Sequence, residues 1–369
     1  MPGDEASPPA VARALLGPAL SVRRDEEVLV VSWNHTLAWA SACVAEARRR
    51  GARPTLLLED EAAFWRSLDL APIASRWSGL SRSVRAAIGR SDVVVYFPGP
   101  ADRPRLHALP AHQATPFLGR DDDWLRGVTA AHARGVRCLL GYASDAQADR
   151  WHVPGAMWRS QLIRGIADVD YGALAKDARR AARLLAGGRE LRLTSGNGTD
   201  VTLRLKRRRP WVDDGIVDAE DRRLRRAFSS APAGAVVVAV DERSAAGTAI
   251  ANRPSFLSVG RVEGGQWEIE HGRLRNYWYT DGGDAFEAEF ARAPRGRDTV
   301  ALFALGLNPA LPPGVPQAED QEAGTVTLAI GGNSLYGGTN RCRYLSWLTV
   351  GEATVAVDGV PLCDRGKIL

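Results

Sequence analysis

Glu27-Val28-Leu29-Val30-Val31-Ser32 is followed at 36–50 by TLAWASACVAEARRR, and Gly51 closes that run. An unbroken apolar stretch of this length predicts a strand buried on both faces, and the run after it has helical spacing. The alternation repeats. PTLLL at 54–58 predicts a second strand, 59–70 a helix carrying Phe64 and Trp65, and DVVVYF at 92–97 a third strand closed by Pro98-Gly99-Pro100. A helix at 124–134 and a fourth strand, VRCLL at 136–140, follow. Strands alternating with helices predict a mostly parallel sheet with flanking crossover helices. The first strand leads into Ser32-Trp33-Asn34-His35 and not into G-x-G-x-x-G, so no dinucleotide site is expected there.

The Ala- and Arg-rich run 170–186 predicts a helix ended by Gly187-Gly188. The domain boundary is placed there, giving an α/β domain over 1–188 and a β-rich α+β domain over 189–369. In the second, 190–194, 200–206, 235–240, 266–270, 299–305, 325–330 and 353–357 are strand-like and separated by Gly, Pro and Asn turns. Pro312-Pro313-Gly314-Val315-Pro316 reads as a surface loop.

The chain has 369 residues, 45% hydrophobic and 25% charged, which suits two globular domains and excludes wholesale disorder. No apolar run is long enough to span a bilayer, and Met1 to Ala10 lacks a signal-peptide layout, so a cytoplasmic protein without membrane partners is expected. Cys43, Cys138, Cys342 and Cys363 are scattered, which argues against a clustered zinc site. Net charge is +5, and of 48 basic residues only Lys176, Lys206 and Lys367 are lysines. Arginine forks suit carboxylates as well as phosphates, so an acidic peptide competes with nucleic acid as a partner.

Several signals stand alone. Arg204, Lys206, Arg207, Arg208 and Arg209, then Arg222, Arg223, Arg225 and Arg226, read either as an anion-binding face or as solvated charge. Asp213, Asp214, Asp218, Glu220 and Asp221 are interleaved with them and favour solvated charge. Tyr277, Trp278 and Tyr279 read as core or as a ligand groove. His35 falls where the carboxyl end of a parallel sheet holds ligands, and a lone His is more often structural. Cys43 is a mid-helix thiol among apolar residues, a poor nucleophile.

The second half resembles the aminopeptidase T family of metallopeptidases, whose superfamily includes the iron-dependent 2,5-dihydroxypyridine dioxygenases. Ser195-Gly196-Asn197-Gly198-Thr199-Asp200-Val201 resembles the family's G-T-D-L strand start, and Trp211…Asp214-Gly215 its W…D-G. Pro232-Ala233-Gly234-Ala235-Val236 resembles P-x-G-E-V, and Ser244-Ala245-Ala246-Gly247-Thr248 the S-x-x-G-T after it. Leu305-Gly306-Leu307-Asn308-Pro309 resembles G-x-N-P, and Ala323-Gly324-Thr325-Val326-Thr327 with Ala329-Ile330-Gly331 resembles L-G-T-x-H-x-A-x-G. Gly337-Gly338 and Asp358-Gly359 match closing turns, so the likeness runs over about residues 190–366.

The resemblance implies a divalent metal held by carboxylates and imidazoles. Its ligand positions fall here on Ala235, Leu302, Thr327, Ser346 and Leu348. None is a good donor, and His35, His107, His112, His132, His152 and His271 all lie elsewhere. The expectation is therefore a catalytically silent relative with no catalytic residue, metal or cofactor. It would keep its cleft as a peptide groove, with Tyr336, Arg341, Arg343, Trp347, His271 and Trp278 as candidate contacts. The resemblance implies a homodimer that holds a precursor peptide for a partner biosynthetic enzyme, in a bacterial pathway for ribosomally made, modified peptides of the crocagin type. The alternative is an active hydrolase or ring-opening enzyme with a relocated site. Its candidate groups are Glu268, Glu270, His271, Asp281, Asp284 and Glu287, or Ser346 with a distant His. Nucleic-acid binding is not expected at physiological salt.

Overall fold

Glu27–Trp33 is the second of five parallel strands in a computed structural model that describes residues 7–69, 79–110, 117, 120–258 and 260–369. His112 lies outside the described residues, as do residue 70 of the expected 59–70 helix and the first six residues. The chain forms two compact units. One comprises Met1–Tyr171 with Gly215–Pro232, the other Gly172–Asp214 with Ala233–Leu369. This differs from a single cut after Gly188. The Tyr171–Gly187 helix belongs almost wholly to the second unit, and a later segment returns to the first.

That returning segment supplies the fifth strand of the first unit's sheet. Its spatial order is Arg53–Glu59, Glu27–Trp33, Val93–Tyr96, Arg134–Cys138 and Phe228–Ala231. The four strands expected in the first half are all present, the fourth displaced because residues 139–141 turn into a 3-10 helix. The fifth has no sequence signature, since Phe-Ser-Ser-Ala is short and half polar. Its place depends on Gly135, which pairs with Phe228. A Cβ at position 135 would lie 2.4 Å from the Phe228 ring and 2.7 Å from Val128 Cγ1. The core beneath includes Leu29, Val31, Val94, Tyr96, Trp124 and Val128, with Tyr96 stacked on Trp124 at 5.0 Å.

The second unit holds two large antiparallel sheets and a two-stranded one, Ser255–Phe256 with Arg261–Val262. One has eight strands, ordered Arg273–Trp278, Gln266–Glu270, Ala246–Ile250, Asp200–Arg204, Glu190–Thr194, Thr354–Val357, Val360–Asp364 and Lys367–Ile368. The other has five, ordered Leu345–Val350, Val326–Gly331, Val300–Gly306, Ala235–Ala239 and Trp211–Asp213.

The motifs that carried the resemblance prove to be joints of this unit. Thr248 pairs with Asp200, and a Cβ on Gly247 would strike the Asp200 carbonyl at 2.0 Å. Thr199 Oγ1 accepts from Ile250 N at 2.9 Å. The Asp358 carboxylate accepts from Arg189 N and Glu190 N. Gly234 and Asn308 meet, with Leu307 N donating to Gly234 O at 2.8 Å. Residues 312–316 do not form a free surface loop, because Val315 is 1% exposed and the residues after it are largely buried. Among the described residues no helix is long and apolar enough to cross a membrane.

Gly135→Ala is expected to destabilise the first unit by about 1–3 kcal/mol, because the added methyl overpacks a filled site. Urea denaturation of the variant against the parent chain measures it, and an unchanged midpoint would refute the packing assignment.

Candidate functional site

The five-stranded sheet places the positions where the resemblance implies metal ligands. Directly paired residues of antiparallel strands share a face, and successive residues alternate. Ala239, Leu302, Ala329 and Trp347 form one cross-strand row; Trp211, Val237, Ala304, Thr327 and Thr349 form the next. Ala235 continues the same face. On it lies a buried cluster of alanines and aliphatics: Ala235, Val237, Ala239, Ala301, Leu302, Ala304 and Ala329. Trp211, Tyr336 and Trp347 are half-buried against this cluster, and Trp211 meets Tyr336 edge-on at 5.8 Å. The only hydroxyls in these two rows, Thr327 and Thr349, are hydrogen-bonded to each other at 2.9 Å.

The five expected positions do not share one face. Ala235, Leu302 and Thr327 line the apolar face, whereas Ser346 and Leu348 pair with Ile330 and Leu328 and lie on the opposite side. Alternation brings their neighbours Trp347 and Thr349 onto the apolar face instead. Its donors are two mutually bonded hydroxyls, the Tyr336 phenol and a single carboxylate, Asp213, which pairs with Ala235 at one end of the face; with no imidazole and one carboxylate this set does not fit a divalent metal. Among the described residues no group of three or more His, Cys, Asp or Glu side chains is placed to hold one.

Of the candidate peptide contacts, Tyr336 and Trp347 belong to this face, and Arg341 and Arg343 are exposed just before the Leu345–Val350 strand. His271 and Trp278 belong to the eight-stranded sheet. His271 sits at the turn between Gln266–Glu270 and Arg273–Trp278, and Trp278 ends the latter, 48% exposed. Tyr277 and Tyr279 pack on Phe286, and Trp267 Nε1 donates to Tyr279 Oη at 3.0 Å, so these tyrosines belong to a packed aromatic cluster.

The groups considered for a relocated site do not converge. Glu268 accepts from Asn276 at 2.7 Å, Glu270 faces Arg275 at 3.6 Å, and Asp281 accepts from Gly282 N. In the first unit, His35 follows the first strand as expected, and its Nε2 lies 2.9 Å from the Gly141 carbonyl. Burial lowers the pKa of His35, opposed by that hydrogen bond and by the charge of Glu61. Burial raises that of the Cys43 thiol, with the nearby Cys138 and Glu46 adding to it, so it stays protonated. The two arginine runs fall in different units, Arg204 to Arg209 in the second and Arg222 to Arg226 in the first.

One acidic residue at the site has no sequence signal. Glu319, 2% exposed, accepts from Phe256 N at 3.2 Å and from the Trp347 indole. Burial pushes its pKa up to about 8; backbone and indole hydrogen bonds oppose this, and the neighbouring Asp320 adds to it. Burial thus favours its neutral acid form, tied to the tryptophan beside the apolar face. Near it, Glu322 takes the Arg253 fork at 2.9 Å and Gly314 N at 3.0 Å, anchoring the 307–324 segment.

No family model and no curated protein matches this chain. Solved structures do. AmpT from Thermus thermophilus superposes with a TM-score of 0.68 at 17% identity, over 99% of each chain. The chain has the aminopeptidase T fold. The 2,5-dihydroxypyridine dioxygenase of Pseudomonas putida KT2440 superposes with a TM-score of 0.66 at 14% identity, over 100% of this chain and 98% of that one. At these identities the likeness concerns the fold, which is the α/β plus β-rich architecture expected from the sequence.

Glu319 also sets a pH dependence. A carboxyl whose folded pKa lies above its ordinary 4.5 contributes stability that is complete below that value and fades as pH rises to about 8. Glu319→Gln carries no such titration. The stability difference between parent and variant, followed by urea denaturation, should fall with pH across this window. A flat difference would show that Glu319 titrates normally.

Proposed function

We propose that this protein is a metal-free peptide-binding protein built on the aminopeptidase T fold. It holds a peptide, a precursor in modified-peptide natural product biosynthesis, for a partner enzyme. The observation that carries this reading is the apolar face of the five-stranded sheet. Alanine, leucine and threonine stand there at three positions where the resemblance implies metal ligands, with Trp211, Tyr336 and Trp347 around them. An apolar floor bordered by aromatics suits side-chain recognition. Arg341 and Arg343, exposed beside the Trp347 strand, would meet carboxylates of an acidic peptide. The partner enzyme, a homodimeric state and a cytoplasmic location belong to the same proposal.

Two measurements test it. Elemental analysis of the purified protein should find no stoichiometric zinc, iron or cobalt; one equivalent of any of them would overturn the metal-free reading. Fluorescence polarisation with labelled short peptides of apolar, acidic and basic composition should show saturable binding to at least one class. Trp347→Ala should then cost about 2 kcal/mol, roughly thirtyfold in affinity, as the loss of an aromatic anchor. Saturable binding that ignores Trp347→Ala, Trp211→Ala and Tyr336→Ala would place the groove elsewhere.

A further inference from the structure

Away from the apolar face, the second unit carries an open cavity of about 520 Å³ with a different chemistry. Four basic side chains line it: Arg243, His271, Arg273 and Arg275. The backbone that presents them is tightly constrained. His271 and Gly272 form a two-residue turn with both φ angles positive, 51° and 76°, closing the hairpin in which Glu270 pairs with Arg273. Gly272 N donates to Ala245 O, and Val300 N donates to Gly272 O, both at 2.8 Å. A Cβ at 272 would lie 2.1 Å from the Glu242 carbonyl, so the turn bearing His271 and Arg273 is pinned against the segment bearing Arg243.

Of the three neutral polar residues in the wall, Thr299, Thr339 and Asn340, the last two are already engaged. Thr339 donates through both N and Oγ1 to Glu242, at 2.8 and 2.9 Å. Asn340 Nδ2 donates to the carbonyls of Gly296 and Gly331. The one carboxylate in the lining, Glu242, is engaged too. Besides Thr339 it accepts from Asn333 Nδ2 at 3.0 Å and pairs with Arg208 at 2.8 Å, both partners of that pair nearly buried. Burial alone would raise the pKa of Glu242, but Arg208, Thr339 and Asn333 hold it well below the usual carboxylate range. Its charge is thus matched from behind and does not neutralise the cavity.

The arginines keep donors open. Arg273 contacts both oxygens of Asp298 through Nη1 alone, at 2.9 and 2.8 Å, leaving Nε and Nη2. Arg275 approaches Glu270 only at 3.6 Å. Arg243 is exposed and has no ion-pair partner among the described residues. Guanidinium forks from separate segments, facing one cavity whose amide and one of whose two hydroxyls are engaged, match a tetrahedral oxyanion with several acceptor oxygens better than a two-oxygen carboxylate.

We propose that this cavity is a phosphoryl-binding site, taking inorganic phosphate or the phosphate group of a small molecule on Arg243, His271, Arg273 and Arg275. It is independent of the peptide reading, since it shares no residue with the apolar face.

The test is isothermal titration of the full chain with inorganic phosphate, with acetate, and with sodium chloride at matched ionic strength. One phosphate per chain should bind, with acetate at least roughly tenfold weaker. Arg243→Ala should weaken phosphate binding by about tenfold or more, the loss of a hydrogen bond between charged groups. Arg243→Lys, which keeps the charge and loses the fork, should fall between. Because Arg243 is exposed, both variants should melt at the parent temperature in phosphate-free buffer. Should either unfold, Arg275→Ala, also at an exposed residue, gives the same readout. Equal affinity for acetate, or phosphate affinity indifferent to all three variants, would overturn the proposal. So would a preference for a single-stranded oligonucleotide with a salt slope of several phosphates, which would mark a nucleic-acid surface instead.

Discussion

Asn308 is fully buried, and its Nδ2 donates to the Ala233 carbonyl at 2.7 Å while its Oδ1 accepts from Ala310 N at 3.0 Å. Much of the second unit hangs on this joint. Gly234, with φ at 129°, lets the Asn308 backbone approach to a distance that any Cβ would occupy. The contact starts the Ala235–Ala239 strand in register with Val300–Gly306 and ends the latter where residues 307–324 begin. Register determines which side chains share a face. A slip of one residue would send Ala235, Val237 and Ala239 to the opposite side and dissolve the apolar face. The resemblance in P-x-G and G-x-N-P is therefore a likeness of backbone geometry.

The two acidic residues that matter most in this unit show burial and hydrogen bonding pulling in opposite directions. Glu319 loses water with few compensating donors, which favours its neutral form. Glu242 is also largely shielded, but one guanidinium, one amide and the two donors of Thr339 hold it as an anion. The first makes the surroundings of Trp347 uncharged and suits apolar contact. The second builds a rigid wall behind His271 and three arginines, its own charge taken up by Arg208. One unit thus holds two chemically distinct regions, a buried apolar face bordered by half-buried aromatics and an open cavity lined by arginines.

Much of the architecture was legible in the chain because its strands are either continuous apolar runs or clear alternations. The strands expected at 27–32, 54–58, 92–97, 190–194 and 266–270 lie within or overlap those observed. Arg273–Trp278 and Leu345–Val350 were missed despite strand-like residues, and several other strands that escaped lack a local signal. Ala246–Ile250 is small and mixed, Trp211–Asp213 has three residues, and Phe228–Ala231 is half polar; each is a strand because a neighbouring edge pairs with it. The Pro-rich stretch 312–316 reads as surface until the Arg253–Glu322 pair and buried Val315 show that it is packed. Glu319 was invisible for the same reason, since its neutrality arises from burial that sequence spacing does not encode.

The sequence by itself determined the class of the fold, through hydrophobic periodicity, and which residue types stand at the positions where the resemblance implies metal ligands. Tertiary structure alone decided which residues share a surface. It returned Gly215–Pro232 to the first unit, put Trp347 in place of Ser346 and Leu348 on the apolar face, and gathered Arg243, His271, Arg273 and Arg275 around one cavity. The physical reason is that strand register and chain return are set by long-range pairing, in which one residue of slip reverses every side chain.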